Sequence, residues 1–113
     1  MKELNERIYN TISPIIDVNL SEADTESYPY AIYSTQVADL RCKAGVYAKE
    51  ISLRVDVVGD KFDICQDKGD DIYAALVEEF TTQDSVITRT NSEHNSTYGV
   101  WNLIYEFRII KNI

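Results

Sequence analysis

Val46-Tyr47-Ala48-Lys49-Glu50-Ile51-Ser52-Leu53-Arg54-Val55-Asp56-Val57-Val58 is the stretch whose reading decides the fold. Ile51, Leu53, Val55 and Val57 alternate with Glu50, Ser52, Arg54 and Asp56. Side chains of a strand point to opposite faces in turn, so this period of two predicts a strand with one buried and one wet face. The tract stops at Gly59-Asp60, where the spacing changes to a helical one. Over residues 61–80, Phe62, Cys65, Ile72, Leu76 and Phe80 fall near one face, with Gly69 in the gap of that stripe. Asp60 and Asp63 suit the positive end of the helix dipole, while Glu78 and Glu79 oppose it at the other end. Gly69 weakens such a helix by about 1 kcal/mol relative to alanine. A close helix-to-sheet approach explains it; a break in the helix is the other reading.

Upstream of the hairpin, Leu4, Ile8 and Ile12 recur every four residues and predict a short helix over 2–13, which Pro14 ends. Residues 17–27 are polar and acidic without periodicity, and read as an exposed loop. Tyr28-Pro29-Tyr30 then opens a strand, because proline is tolerated at a strand start where its missing N–H breaks no ladder bond. Tyr28, Tyr30 and Ile32 share one face; Ala31, Tyr33, Thr35 and Val37 share the other. Residues 39–45 turn the chain into the alternating tract, giving a β-hairpin. Downstream, residues 84–91 read as a short strand and 91–96 as a turn by composition. The last strand spans 97–110, and its row Trp101, Leu103, Tyr105, Phe107 and Ile109 is the largest apolar payload in the chain.

The expected class is α+β in the order α-β-β-α-β-β. Two helices on one face of a four-stranded, mostly antiparallel sheet would bury these stripes with the fewest layers. The opposite sheet face must stay soluble or meet a partner. With 113 residues, 44% hydrophobic and 27% charged, the whole chain, 1–113, is expected to form a single domain. No apolar run reaches the ~20 residues that cross a bilayer, and the first residues are too polar for a signal peptide, so cytosolic synthesis is expected.

The formal charge of −8, with basic residues scattered, argues against sequence-independent grip on a phosphate backbone. The acidic excess reads first as a solubilising surface, and second as a surface for a basic partner. Neither cysteine belongs to a Cys-x-x-Cys pair; Cys65 reads as a small buried hydrophobe, and Cys42 lies between Arg41 and Lys43 in the expected turn. The one histidine, His94, reads as a solvated turn residue, since Glu93 and Asn95 flank it. Asp60, Asp63, Asp67, Asp70 and Asp71 do not fit a calcium loop, because Ile64 and Cys65 stand where ligands are required. No glycine-rich phosphate loop occurs, and no serine or threonine has a histidine placed to activate it. The residues therefore predict no catalytic, metal or cofactor site. Tyrosine, present eight times, suits strands and also suits interfaces, where a large ring carries a hydrogen-bonding tip. Tyr28, Tyr30, Tyr33, Tyr47 and Tyr98 are the candidate interface residues.

The layout resembles the small tail-completion proteins of long-tailed bacteriophages, also called tail-terminator or tail-to-head joining proteins. The likeness rests on three features. A short helix and polar loop lead into Tyr28-Pro29-Tyr30-Ala31-Ile32-Tyr33; the alternating row Ile51, Leu53, Val55, Val57 runs into one amphipathic helix ending near Leu76; and an aromatic-rich strand closes the chain. The resemblance implies a structural role without catalysis or cofactor. Several copies, typically a hexamer, would cap the tail tube and offer a surface to the head connector, first in the host cytoplasm and then in the virion tail. Partners would be the chain itself, tail-tube protein and connector protein, with no sequence-specific nucleic-acid contact and no membrane. Acidic residues lining such a ring would let DNA pass without sticking. The alternative from the residues alone is a small acidic inhibitor or immunity-type protein covering a basic partner. A third reading, an enzyme built on a reactive Cys42, rests on that thiol's basic neighbours alone.

Overall fold

The alternating tract forms β3 (Gly45–Gly59) in the computed structural model, which describes residues 2–20, 28–81 and 85–112. Its buried positions are Ile51, Leu53, Val55 and Val57, the residues on the apolar side of the alternation. β3 pairs antiparallel with β2 (Tyr30–Cys42) on one side and with β5 (Val100–Asn112) on the other. β5 pairs antiparallel with β4 (Ser85–Thr97), and β1 (Asp17–Leu20) adds parallel to the start of β2. The sheet is therefore five-stranded and mixed, in the order β1-β2-β3-β5-β4.

This corrects the expected four-stranded sheet and the order α-β-β-α-β-β. The additional strand comes from residues 17–20, which composition assigned to a loop; the rest of that expected loop, 21–27, lies outside the described residues. Asp17-Val18-Asn19-Leu20 is too short for alternation to speak, but Val18 is buried, and its register with Ala31 sets it under α1 (Lys2–Ile12). Two turns are also shorter than composition suggested. β2 continues to Cys42 and leaves only Lys43-Ala44 before β3. β4 continues through Asn91-Ser92-Glu93-His94-Asn95-Ser96, and the reversal falls at Tyr98-Gly99. These polar residues hold strand geometry because β5 offers a continuous ladder of backbone partners up to Thr97↔Val100.

α1 and α2 (Phe62–Phe80) lie on the same face of the sheet, over Ala31, Tyr33, Leu53, Val55, Leu103, Tyr105, Phe107 and Ile109. Ile8 and Ile12 from α1 and Cys65, Ile72, Leu76 and Phe80 from α2 complete that core. α2 is continuous through Gly69. A Cβ at Gly69 would collide with the ring and hydroxyl of Tyr105, so the glycine permits the helix to lie close against β5. A Cβ at Gly59 would lie 2.6 Å from the Cys65 Sγ, which explains the glycine between β3 and α2.

The acidic end of α2 finds its cation elsewhere in the chain. Arg7 of α1 forms an ion pair with Glu79, donates from Nη2 to the Glu79 carbonyl at 2.7 Å, and lies 4.3 Å from the Phe80 ring centroid. A guanidinium at a helix C-terminus meets both the dipole and the last carbonyls. α1 is tied to β2 as well: the Tyr33 hydroxyl donates to the Asn5 carbonyl at 3.1 Å, and Thr35 Oγ1 donates to Asn5 Oδ1 at 3.0 Å. Strands of 13 to 15 residues, at about 3.3 Å each, stretch the molecule to 52 × 23 × 22 Å.

Candidate interaction surface

Both helices pack on one side, so no described helix covers the other face of the sheet. That face carries Tyr30, Ile32, Ser34 and Gln36 from β2, Ser52, Arg54, Asp56 and Val58 from β3, and Asn102, Ile104, Glu106 and Arg108 from β5. Its centre is ionic. Arg54 grips Asp56 through Nε and Nη2 at 2.8 and 3.1 Å, and Arg108 Nη2 meets Glu50 Oε2 at 3.1 Å. The hydrogen bonds that Arg54 donates to Asp56 raise its guanidinium pKa further and keep the group charged. These pairs are half-exposed, and pairs of this kind contribute little to stability.

The upper end of the same face is aromatic and apolar. The Tyr28 and Tyr30 rings stack with centroids 5.9 Å apart and planes 13° from parallel. Tyr30 shares a rung with Val58 and Asn102, and Ile32 shares the next with Asp56 and Ile104. Asn102 Oδ1 is buried there without a hydrogen-bond partner among the described residues. Such an oxygen costs about 1–3 kcal/mol until something donates to it.

The five candidate tyrosines occupy three different settings. Tyr28 is 45% exposed and stacked with Tyr30 at the strand start. Tyr98 is fully exposed at the β4–β5 turn, near that same end of the sheet. Tyr47, 53% exposed, lies beside the β2–β3 turn at the opposite end. Tyr33 is 3% exposed, under α1, so the structure gives it to the core and takes it off the candidate surface. Its position on the alternating row with Ala31 was the available signal.

Tyr98 has a left-handed backbone, φ 53°, followed by Gly99 at φ 77°. A two-residue hairpin loop needs this conformation, and asparagine-glycine is the pair that adopts it at least cost. A fully exposed tyrosine there packs on nothing described and carries strain.

His94 departs from its expected turn. It is opposite Leu103 on the helix side of β4, with its ring 5.2 Å from Phe62 and 5.9 Å from Trp101. Phe62 and Trp101 meet edge-to-face at 4.9 Å, so the three rings close the end of the core. Cys65 is buried and Cys42 exposed, in β2 and not in a turn. Burial pushes the Cys65 thiol up, helped by Asp60, and pushes the Tyr105 phenol up, helped by Asp70 and opposed by Arg89. The Tyr33 phenol rises for the same first reason, with Tyr9 adding to it. Asp63, Asp67, Asp70, Asp71 and Glu78 are exposed along the outer side of α2. Among the described residues, no three or more His, Cys, Asp or Glu side chains converge as a metal site would need. No described helix is long and apolar enough to cross a membrane.

No family model matches the chain, and neither does any curated protein. A solved structure does share the fold: a chain in the "Virion of native gene transfer agent (GTA) particle", with a TM-score of 0.68 and 12% identity. The match covers 94% of this chain and 84% of that one. At that identity the likeness is one of fold.

Proposed function

We propose that this chain is a structural tail-completion protein of a phage or prophage, forming a homo-oligomeric ring at the head-proximal end of the tail tube. The observation that carries the reading is the fold shared with a virion chain over nearly the whole length of both. The uncovered sheet face supports it, since a ring joins one patch of a subunit to a different patch on the next. In this reading Tyr28, Tyr30, Tyr47 and Tyr98 meet neighbouring subunits, tail-tube protein or the head connector. The role is structural and without cofactor. The protein works in the host cytoplasm during assembly and then in the virion tail, and its contacts are with proteins.

Light scattering from micromolar to near-millimolar concentration, with and without tail-tube protein, tests this. A discrete ring-sized species is expected, visible as an annulus by negative-stain microscopy. A monomer in both conditions overturns it. The exposed acidic side of α2 favours a second reading, an inhibitor or immunity-type protein on a basic partner. That protein would stay monomeric and bind its partner in fixed ratio.

A further inference from the structure

Among the described residues the sheet has two open edges, and their chemistry changes at the same height. On one side β4 pairs, among the described residues, only with β5. On the other, β1 covers β2 only from Tyr30 to Tyr33, so among the described residues positions 34–42 have no outer strand. An open edge presents a row of backbone donors and acceptors, and proteins usually blunt it with lysine, proline or a short strand. Neither edge contains lysine or proline, and β4 is 13 residues long.

The rungs of the sheet place the two edges level with each other. Thr35 shares a rung with Arg89, Gln36 with Thr88, Val37 with Ile87 and Ala38 with Val86. Val37 is 37% and Val86 52% exposed, which makes them two of the few large hydrophobics left on the surface. Beyond the irregularity between Arg89 and Asn91, β4 turns wholly polar and exposed, and its residues Ser92 to Asn95 are level with Tyr33 to Tyr30, the part of β2 that β1 already covers. The apolar part of one edge thus matches the uncovered part of the other.

Strand direction matches too. β2, β3, β5 and β4 alternate in direction across three antiparallel pairings, so β4 runs opposite to β2. A rotation about an axis along the strands preserves direction. It therefore brings β4 of one copy antiparallel to β2 of the next, the pairing that hydrogen-bonds best.

We infer that the partner of each edge is a second copy of this chain: residues 86–89 of one copy pair antiparallel with residues 35–38 of the next, extending the sheet from subunit to subunit. Backbone bonds hold the joint, and Val37 with Ile87 and Ala38 with Val86 supply its apolar contacts. The inference rests on the self-assembly proposed above and names the surfaces that carry it.

The test uses the full chain with Cys42→Ser, so that buried Cys65 is the only native thiol. Ala38→Cys and Val86→Cys are added singly and together, and a short bis-maleimide is applied at near-millimolar protein. Both positions are exposed, and unchanged circular dichroism confirms folding. A head-to-tail joint crosslinks a mixture of the two single variants into dimers, gives a ladder of multimers for the double variant, and leaves each single variant uncrosslinked. Separately, Val86→Lys raises the concentration needed for assembly about tenfold, whereas Ser96→Lys on the polar half of β4 leaves it unchanged. Equal crosslinking of a single variant with itself overturns the inference, because it means a two-fold joint. Multimers by light scattering without crosslinks overturn the edge joint and leave the ring reading standing. Monomers without crosslinks overturn both.

Discussion

Gly69 shows how much one missing methyl can decide. Its absence lets α2 approach β5 until the helix backbone meets the Tyr105 ring. Gly69→Ala gains helix propensity but forces that contact apart. The expected net is a loss of about 1–3 kcal/mol in urea unfolding, the usual cost of overpacking; equal or greater stability would show that Tyr105 moves freely. The two thiols differ by burial, so native protein should react with one equivalent of Ellman's reagent at Cys42 and release the Cys65 thiol only on unfolding. Cys65, Tyr33 and Tyr105 hold their protons more tightly when folded. Their contribution is whole below the ordinary thiol and phenol values of 9.0 and 10.0 and is lost as pH rises through the higher folded ones. Tm should be level near neutrality and fall above about pH 9, less steeply in Tyr105→Phe. A Tm flat through about pH 11 would contradict this.

At the level of elements, the β4–β5 hairpin combines a long pairing with a poor turn. Tyr98→Asn suits the left-handed position and should stabilise the protein by about 1 kcal/mol, read as a shift in urea midpoint at constant slope. If Tyr98 also meets a neighbouring subunit, the same variant assembles less well, so stability and assembly move in opposite directions. The α1–α2 contact depends on Arg7, which caps α2 from another element. Arg7→Ala should cost about 1 kcal/mol, and Arg7→Lys should recover only part, since lysine lacks the fork that reaches carboxylate and carbonyl together.

For the whole molecule, the unequal coverage of the sheet is the main consequence of the topology. Two helices bury one face, while the other keeps a tyrosine stack, an ionic centre and a buried oxygen that has no hydrogen-bond partner among the described residues. A monomeric protein exposes such a face only at some cost in association. Double replacement of Tyr28 and Tyr30 by serine removes the aromatic end of that face without touching the buried core around Val55, Leu103 and Ile109. Ring formation should fall at least tenfold in apparent affinity while the cooperative unfolding transition remains. Unimpaired assembly would leave the sheet edges as the subunit joint and take these tyrosines out of the assembly contacts.

Alternation and helical spacing were enough to reveal β3, α2, the buried row of β5 and the burial of Cys65, because each depends only on which residues can share a face. The sequence by itself also showed that Tyr33 lies with Ala31 and opposite Tyr28 and Tyr30. Only the tertiary structure decided which of those faces the helices cover, and so which tyrosines remain available. It alone turned residues 17–20 into a strand, since four residues carry no period and β2 had to be present to pair with them. It extended β4 through a polar stretch that reads as a turn, because backbone hydrogen bonds to β5 do not depend on side-chain polarity. The cap of Arg7 on α2 joins residues 72 apart in the chain. Local pattern cannot report such a contact, because its energy depends on how α1 and α2 settle on the same sheet.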